Sequence, residues 1–415
     1  MTDRSIQAGS VARSARPSFL ARAAWRVGHA GLERLRVGAI TVILPNGTSR
    51  LYGDPSSAHQ GEIRIHEHAA FERFLIGGET GGGEAYMEGL WSSPDLAALI
   101  RVAAYNRASL ALYTGWWRIP AQLGRTLAHR SRRNTRDNAR RNIAAHYDLG
   151  NEFYRLFLDE SMTYSSAVFE SEDQSLEAAQ QHKYQRMAER AGLQAGMHVL
   201  EIGTGWGGFA IHAAGQLGCR VTTVTISKEQ HALARQRVAE AGLADLVDVQ
   251  LRDYRDIDGV FDAVVSIEML EAVGHDFYGS YFEAVDRALV PGGKASIQVI
   301  TFPDVAYDAQ RRGANWIQTY IFPGGLCPSL AVIEQNLHGT RLLLRDATDI
   351  APSYVRTLRE WRVRFMANLD AVRAQGFDER FIRMWEYYLA LSEAGFATGL
   401  SQDHQIVLEK RRAVA

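Results

Sequence analysis

Glycines at 203, 205, 207 and 208 follow the apolar run opened by Val199 in "VLEIGTGWGGFAIHAA", and Gly203, Gly205 and Gly208 satisfy the spacing G-x-G-x-x-G. Such a turn between a strand and a helix presents backbone N–H groups to a ligand. A dinucleotide would also require an Asp or Glu at the end of the next strand, about 20 residues on, for the ribose hydroxyls. That strand end reads "TVTISKEQ", with Thr225 and Ser227 where the acid should stand. The acids lie elsewhere: Glu201 within the first strand, and Asp253 at the end of the third in "LRDYRD". This distribution fits S-adenosylmethionine (SAM), whose methionine end and ribose would lie against the turn while the third-strand acid accepts the adenine amino group. Gly203 and Gly205 would let the backbone approach with no side chain in the way.

The elements that must position these residues alternate. "HVLEIG", "CRVTTVTI", "VDVQLRDY", "FDAVVSIEM" and "ASIQVIT" read as strands separated by helical segments, and "HQIVLEK" supplies a late strand. This predicts an α/β fold, a Rossmann-like doubly wound sheet of the class I SAM-dependent methyltransferase type, with ligands at the carboxyl ends of the strands. A smaller N-terminal α+β domain precedes it, opened by a hairpin at Asn46-Gly47 in "AITVILPNGTSRLY". The boundaries read from the chain are a tail and helix over 1–35, the small domain over 36–122, an Arg-rich linker over 123–142 and the catalytic domain over 143–415, with a lid insertion at 302–350.

The 415 residues carry a net charge of −1, which gives no overall basic excess for nucleic acid. The two cysteines, Cys219 and Cys327, lack metal-type spacing, so no metal site or disulfide framework is predicted. No run reaches the roughly 18 to 20 apolar residues of a membrane span, and the start reads as a frayed tail rather than a signal peptide. The expected location is the cytoplasm, peripheral to the inner face of the membrane. Residues 125–141 carry seven arginines. They read either as a solvated linker or as a bridge to anionic headgroups, each basic residue near such a surface being worth about 1 kcal/mol. Tyr113, Trp116 and Trp117 beside it suit an interface or a helix-packing face equally well.

Six strings, "HYDLGNEFYRLFLDESMTYSSAVF", "LEIGTGWGG", "TVTISKEQ", "EMLEAVGHDFY", "YIFPGGLCPS" and "SYVRTLREW", resemble those of the cyclopropane-fatty-acyl-phospholipid synthases in order and separation. "GEAYMEGLWSSPDL" extends the resemblance into the N-terminal domain, as in two-domain members. The resemblance implies transfer of the SAM methyl to a cis double bond in a phospholipid acyl chain, then proton loss that closes a cyclopropane ring. It places Tyr164 and Ser165 near the methionine end of SAM, Gly203 and Gly205 at the turn, Thr225 and Gln230 on the ribose side, and Asp253 with Tyr254 at the adenine. It also implies a bicarbonate ion that takes the proton, held by Ser166, Glu271, Gln298, the Ile300 amide and Tyr354. The implied partners are membrane phospholipid with unsaturated acyl chains, an anionic membrane surface and, as an assembly, a homodimer.

An alkene needs no base before attack; the difficulty is the carbocation left by methyl transfer, which aromatic faces and a carboxylate stabilise. Glu271 is favoured for that work over a solvated strand-end role. Tyr354 reads either as an anion holder or as a packing tyrosine at a helix start. Glu268 reads as an alternating strand residue with no role, and Trp206 as turn packing. Two positions depart from the best-known members, which have Cys at Ser166 and His at Gln298, and Gln cannot carry or shuttle a proton as His can. Ring closure is the expected outcome because most of the anion site is kept. Methyl- or methylene-branched products are the alternative; a small-molecule methyltransferase and an inactive lipid-binding homologue stand behind it.

Overall fold

The computed structural model describes residues 17–111, 138 and 149–412. Apart from residue 138, the Arg-rich segment 125–141 lies outside the described residues, as do the aromatic residues 113, 116 and 117.

In the larger unit, Thr126–Gln375 with Gly399–Ala415, the expected strands form as β5 (His198–Ile202), β6 (Arg220–Thr225), β7 (Val247–Leu251), β8 (Phe261–Ile267), β9 (Leu289–Thr301) and β11 (Gln402–Lys410). Segment 302–350 carries the helices Asp304–Arg312, Trp316–Tyr320 and Leu330–Leu337, and it also supplies an edge strand that the sequence reading missed, β10 (Leu342–Asp349). The sheet order is β10-β11-β9-β8-β5-β6-β7. Strands β5 to β9 pair in parallel, and β11 runs antiparallel to both β9 and β10. The order reverses at β5, between β6 and β8, so the end of β5 opens a crevice at the switch point.

Alternating residues send apolar side chains to both faces of the sheet. Leu200, Ile202, Val264, Ile297 and Val299 pack with Tyr281 and Phe282 on one face. Val199, Val221, Val249 and Val265 pack with Met187, Phe209 and Ala213 on the other. The helix Leu176–Ala191 covers that second face; the Ser175 side chain caps its first turn and Gly192 ends it at φ 70°.

The smaller unit joins the described part of Met1–Arg125 to Gly376–Thr398. Its sheet has the order β2-β1-β3-β4, built from β1 (Ala39–Ile43), β2 (Ser49–Gly53), β3 (Gln60–Ile65) and β4 (Trp91–Ser92). The Asn46-Gly47 hairpin is present, but only Gly47 has positive φ, 83°. The turn is closed by Gly47 N–H to the Leu44 carbonyl at 2.8 Å, and by Leu44 N–H to Thr48 at 2.9 Å. This is the three-residue form of hairpin rather than the two-residue one. The helix Glu379–Ala397, which the sequence reading assigned to the catalytic domain, belongs to this unit, where the Tyr86 hydroxyl donates to Glu386 at 2.6 Å.

Candidate active site

Directly after β5, Gly203 and Gly205 take φ of 100° and 50°. A Cβ on Gly205 would meet nothing within 4 Å. The backbone therefore opens onto free space at the strand end, the cradle that a ligand held by main-chain groups requires. Gly208 is different: a Cβ there would fall 2.2 Å from the Tyr184 hydroxyl, so its reason is packing.

The residues expected around SAM lie on loops, at the end of β6 and in the first turns of the helices that follow β6 and β7. The Tyr164 ring lies 5.3 Å from Tyr154 and 5.2 Å from Trp361. Ser165 accepts from Lys183 Nζ at 2.7 Å. Thr225 donates to Gln230 Oε1 at 2.9 Å and accepts from Ser227 N–H, folding the β6 end into the next helix. Asp253 is buried and clamped by Arg255, Nε to Oδ1 at 2.8 Å and Nη2 to Oδ2 at 2.6 Å, so both carboxylate oxygens are engaged. Tyr254 packs its ring 5.6 Å from Tyr281. Trp206 donates to Asn151 Oδ1 at 2.7 Å and packs its ring against Tyr154 at 5.0 Å, tilted by 51°.

The acceptor side corrects the sequence reading. Glu268 follows β8 with φ 48°, one of two non-glycine residues with positive φ among the described residues. Its N–H is fixed to the Gln298 carbonyl at 2.8 Å. This left-handed turn swings the carboxylate out of the strand alternation that the sequence suggested, an unfavourable conformation of the kind that clusters at functional sites. Glu268 Oε1 accepts from Ser166 N–H and Gln298 Nε2, both at 2.8 Å, and Oε2 accepts from the Tyr354 hydroxyl at 2.7 Å. Three of the groups assigned to bicarbonate thus converge on a carboxylate of the chain itself. The fourth, the Ile300 amide, donates to Glu271 Oε1 at 2.5 Å. The donors expected around bicarbonate are thus engaged by two carboxylates of the chain in this structure. Ser166 contributes its N–H only, because its hydroxyl turns away to the Ala167 carbonyl.

Burial raises the Glu268 carboxyl above its usual range, against the pull of Tyr354, Ser166, Gln298 and Lys183. Burial, followed by repulsion from Glu268, pushes Glu271 up to about 8. Asp403, buried beside them, is pushed well above the carboxylate range by burial and then by both glutamates. Lys183, fully buried, is drawn down to about 8 by burial, opposed by Glu268, Asp159 and Asp403. Of the three acids, Glu268 alone receives three hydrogen bonds from the chain, the arrangement that favours the charged form. It is a carboxylate shaped to face a cation or take a proton. One signal in the sequence pointed to it: an acid immediately after the apolar run "FDAVVSI", at the strand end where doubly wound sheets hold their ligands.

A seven-stranded sheet with its reversed last strand and a glycine turn at the switch point defines a class I SAM-dependent methyltransferase. Residues 134–406 match the family model described as mycolic acid cyclopropane synthetase, and the chain belongs to that family. It is 44% identical to a tuberculostearic acid methyltransferase of Mycobacterium tuberculosis over 89% of this chain and 87% of the relative. It is 34% identical to the cyclopropane-fatty-acyl-phospholipid synthase of Escherichia coli over 84% of this chain and 88% of the relative. A mycolic acid cyclopropane synthase solved with SAH and CTAB superposes at TM-score 0.61 with 30% identity, covering 65% of this chain and 98% of that one. SAM is the cofactor, and the open cradle at Gly205 fits it. No helix among the described residues is long and apolar enough to cross a membrane.

Proposed function

We propose that this enzyme methylates the double bond of an unsaturated acyl chain in membrane phospholipid, and that Glu268 replaces bicarbonate as the group that resolves the resulting cation. The observation that carries the reading is the convergence of Ser166, Gln298 and Tyr354 on the Glu268 carboxylate. When bound at the glycine turn, SAM supplies an electrophilic methyl. The chain's residues do the rest. Gly205 keeps a side chain out of the cradle, Gly203 gives the positive-φ turn that reaches it, and Tyr164 with Ser165 borders it. The Glu268 carboxylate faces the positive charge that develops on the acyl carbon; such electrostatic contributions are worth roughly 10²–10³ in rate. Proton loss from the alkylated chain leaves Glu268 as a carboxylic acid, which balances the charge without a dissolved ion.

The expectation of ring closure rested on an anion site whose donors here meet Glu268 and Glu271, which favours the branched alternative. In that alternative the cation migrates by hydride shift to the methylated carbon before Glu268 removes a proton, giving a methylene branch. The relation to a tuberculostearic acid methyltransferase over most of the chain supports it. Because the substrate sits in a bilayer, the reading includes peripheral attachment to the cytoplasmic face of a membrane.

Incubation with SAM and vesicles whose acyl chains carry deuterium on the vinylic carbons tests both parts. A branched product with one deuterium moved to the neighbouring carbon, formed at the same rate in bicarbonate-free buffer, is the expected result. Cyclopropane with both deuteriums in place overturns the branch assignment; dependence on added bicarbonate overturns the role of Glu268.

A further inference from the structure

Behind Gln298 runs a line of side chains that the reaction above does not use. Gln405 on β11 stands opposite Gln298 on β9 in antiparallel register. Its Nε2 donates to Gln298 Oε1 at 3.0 Å, and its Oε1 accepts from Arg186 Nε at 2.7 Å. Both glutamines are completely buried. An amide can turn end for end, but a guanidinium only donates. Arg186 therefore sets a direction: Gln405 must accept on its oxygen and donate through its nitrogen, so Gln298 must accept on its oxygen and present its NH₂ to Glu268, a direction that the Ser166 carbonyl, accepting from Gln298 Nε2 at 3.3 Å, and Asp403 Oδ2, at 3.4 Å, also receive.

We propose that Arg186 is a positioning residue which, through the Gln405 amide, holds the Gln298 N–H toward Glu268 and so keeps this carboxylate ionised and ready to accept a proton. The proposal rests on the role given to Glu268 above. Its consequence falls on the moment after proton transfer. A free Gln298 could turn its oxygen to a protonated Glu268 and stabilise the acid; the locked amide cannot, so the proton is released and the base is reset. This is a different solution from a histidine at the same place, which can serve as donor or acceptor by changing tautomer.

Other charged and titratable groups face Glu268 from each neighbouring element: Lys183 from the helix Leu176–Ala191, Glu271 from the turn after β8, Cys327 from segment 302–350, Tyr354 from the helix Ala351–Ala367, and Asp403 from β11. Around Arg186 lie Arg190, Asp346 and Glu189. A bare electrostatic influence of Arg186 on this cluster would not need Gln405, and that separates the two explanations.

The test is a double-mutant cycle of Arg186→Met and Gln405→Met read by the pH dependence of kcat, with SAM affinity and Tm as controls. Each single variant is expected to move the acid limb upward by about one pH unit and to lower kcat at pH 7 about tenfold, the size of one hydrogen bond to a charged group. The double variant is expected to show no further shift, and Arg186→Lys, still donor-only, to restore the wild-type limb. Additive shifts, or wild-type profiles in the single variants, overturn the proposal. If Gln405→Met does not fold, the contrast between Arg186→Met and Arg186→Lys decides alone: equal profiles overturn the lock. Glu268→Gln is run alongside. Wild-type turnover there removes the base reading and this proposal together, whereas loss of turnover with an additive cycle removes only the lock.

Discussion

The two sides of the site are made of different material. The cofactor side is a backbone device: Gly203 and Gly205 take positive φ at a strand end, where Gly205 leaves open space and Gly203 packs closely on Met269. The acceptor side is a side-chain device assembled from Ser166, Glu268, Gln298 and Tyr354, which come from four separated segments. A backbone device tolerates almost any neighbour but no added side chain. A side-chain device tolerates changes of bulk but not the loss of a donor or a charge. Each can therefore be broken without the other.

The largest effect is expected from Glu268→Gln, which should lower kcat by roughly 10³ through loss of both the proton acceptor and the charge facing the cation, with SAM affinity within about twofold of wild type. Rapid-quench turnover and calorimetric titration check the pair, and a variant that loses SAM binding would erase the division between the two sides. Gly205→Val is the mirror case: a branched side chain entering the open cradle at φ 50° should weaken SAM roughly 100-fold, with the thermal unfolding transition retained. Next comes Tyr354→Phe, which removes the 2.7 Å donor from Glu268 Oε2. It should cost about tenfold in kcat and raise the acid limb of the pH profile, because the carboxylate loses support for its charged form.

Glu271→Gln sharpens the comparison within the acceptor side. With its carboxyl raised to about 8, Glu271 is largely protonated at neutral pH and an amide imitates it. The expected loss is about tenfold, far below that of Glu268→Gln, and parity of the two variants would return the leading role to Glu271. The smallest effect concerns stability. Buried Glu201 is raised from 4.5 to about 8, chiefly by burial. Its contribution is complete below pH 4.5, where folded and unfolded chains are both protonated, and is lost as pH rises through about 8. Tm should therefore fall less between pH 5 and 9 in Glu201→Gln than in the wild type; equal slopes would show that Glu201 does not titrate with folding.

The cofactor side was legible because glycine announces its own conformations, and the absence of an acid at Thr225 was enough to set a dinucleotide aside. The strands β5 to β9 and β11 were legible from their apolar runs. Strand β10 was not: as an edge it buries Leu342 fully and leaves the middle of "LLLRDATD" exposed, so its pattern looks like a loop. Glu268 was hidden by the same kind of reasoning that found the strand around it. A residue in step with a period of two is assigned to a face, and only the left-handed backbone at that position takes it out of step. Of the five residues assigned to the anion site, Ser166, Gln298 and Tyr354 meet Glu268 while the Ile300 amide meets Glu271, and Glu268 could not be read as their partner because family resemblance left its position without a role.

The helix Glu379–Ala397 bears on how the molecule is made. It packs within the smaller unit, most extensively on the helix Leu96–Tyr105, which precedes it by more than half of the chain. Translation proceeds at roughly 5–20 residues per second, so the helix Leu96–Tyr105 leaves the ribosome about a quarter of a minute to a minute before the helix that packs on it. Through that interval its apolar surface waits uncovered while the whole methyltransferase sheet except its last strand is synthesised. The small unit is thus the first to be translated and among the last to be completed, and a premature stop anywhere before residue 379 costs the cell both units rather than one.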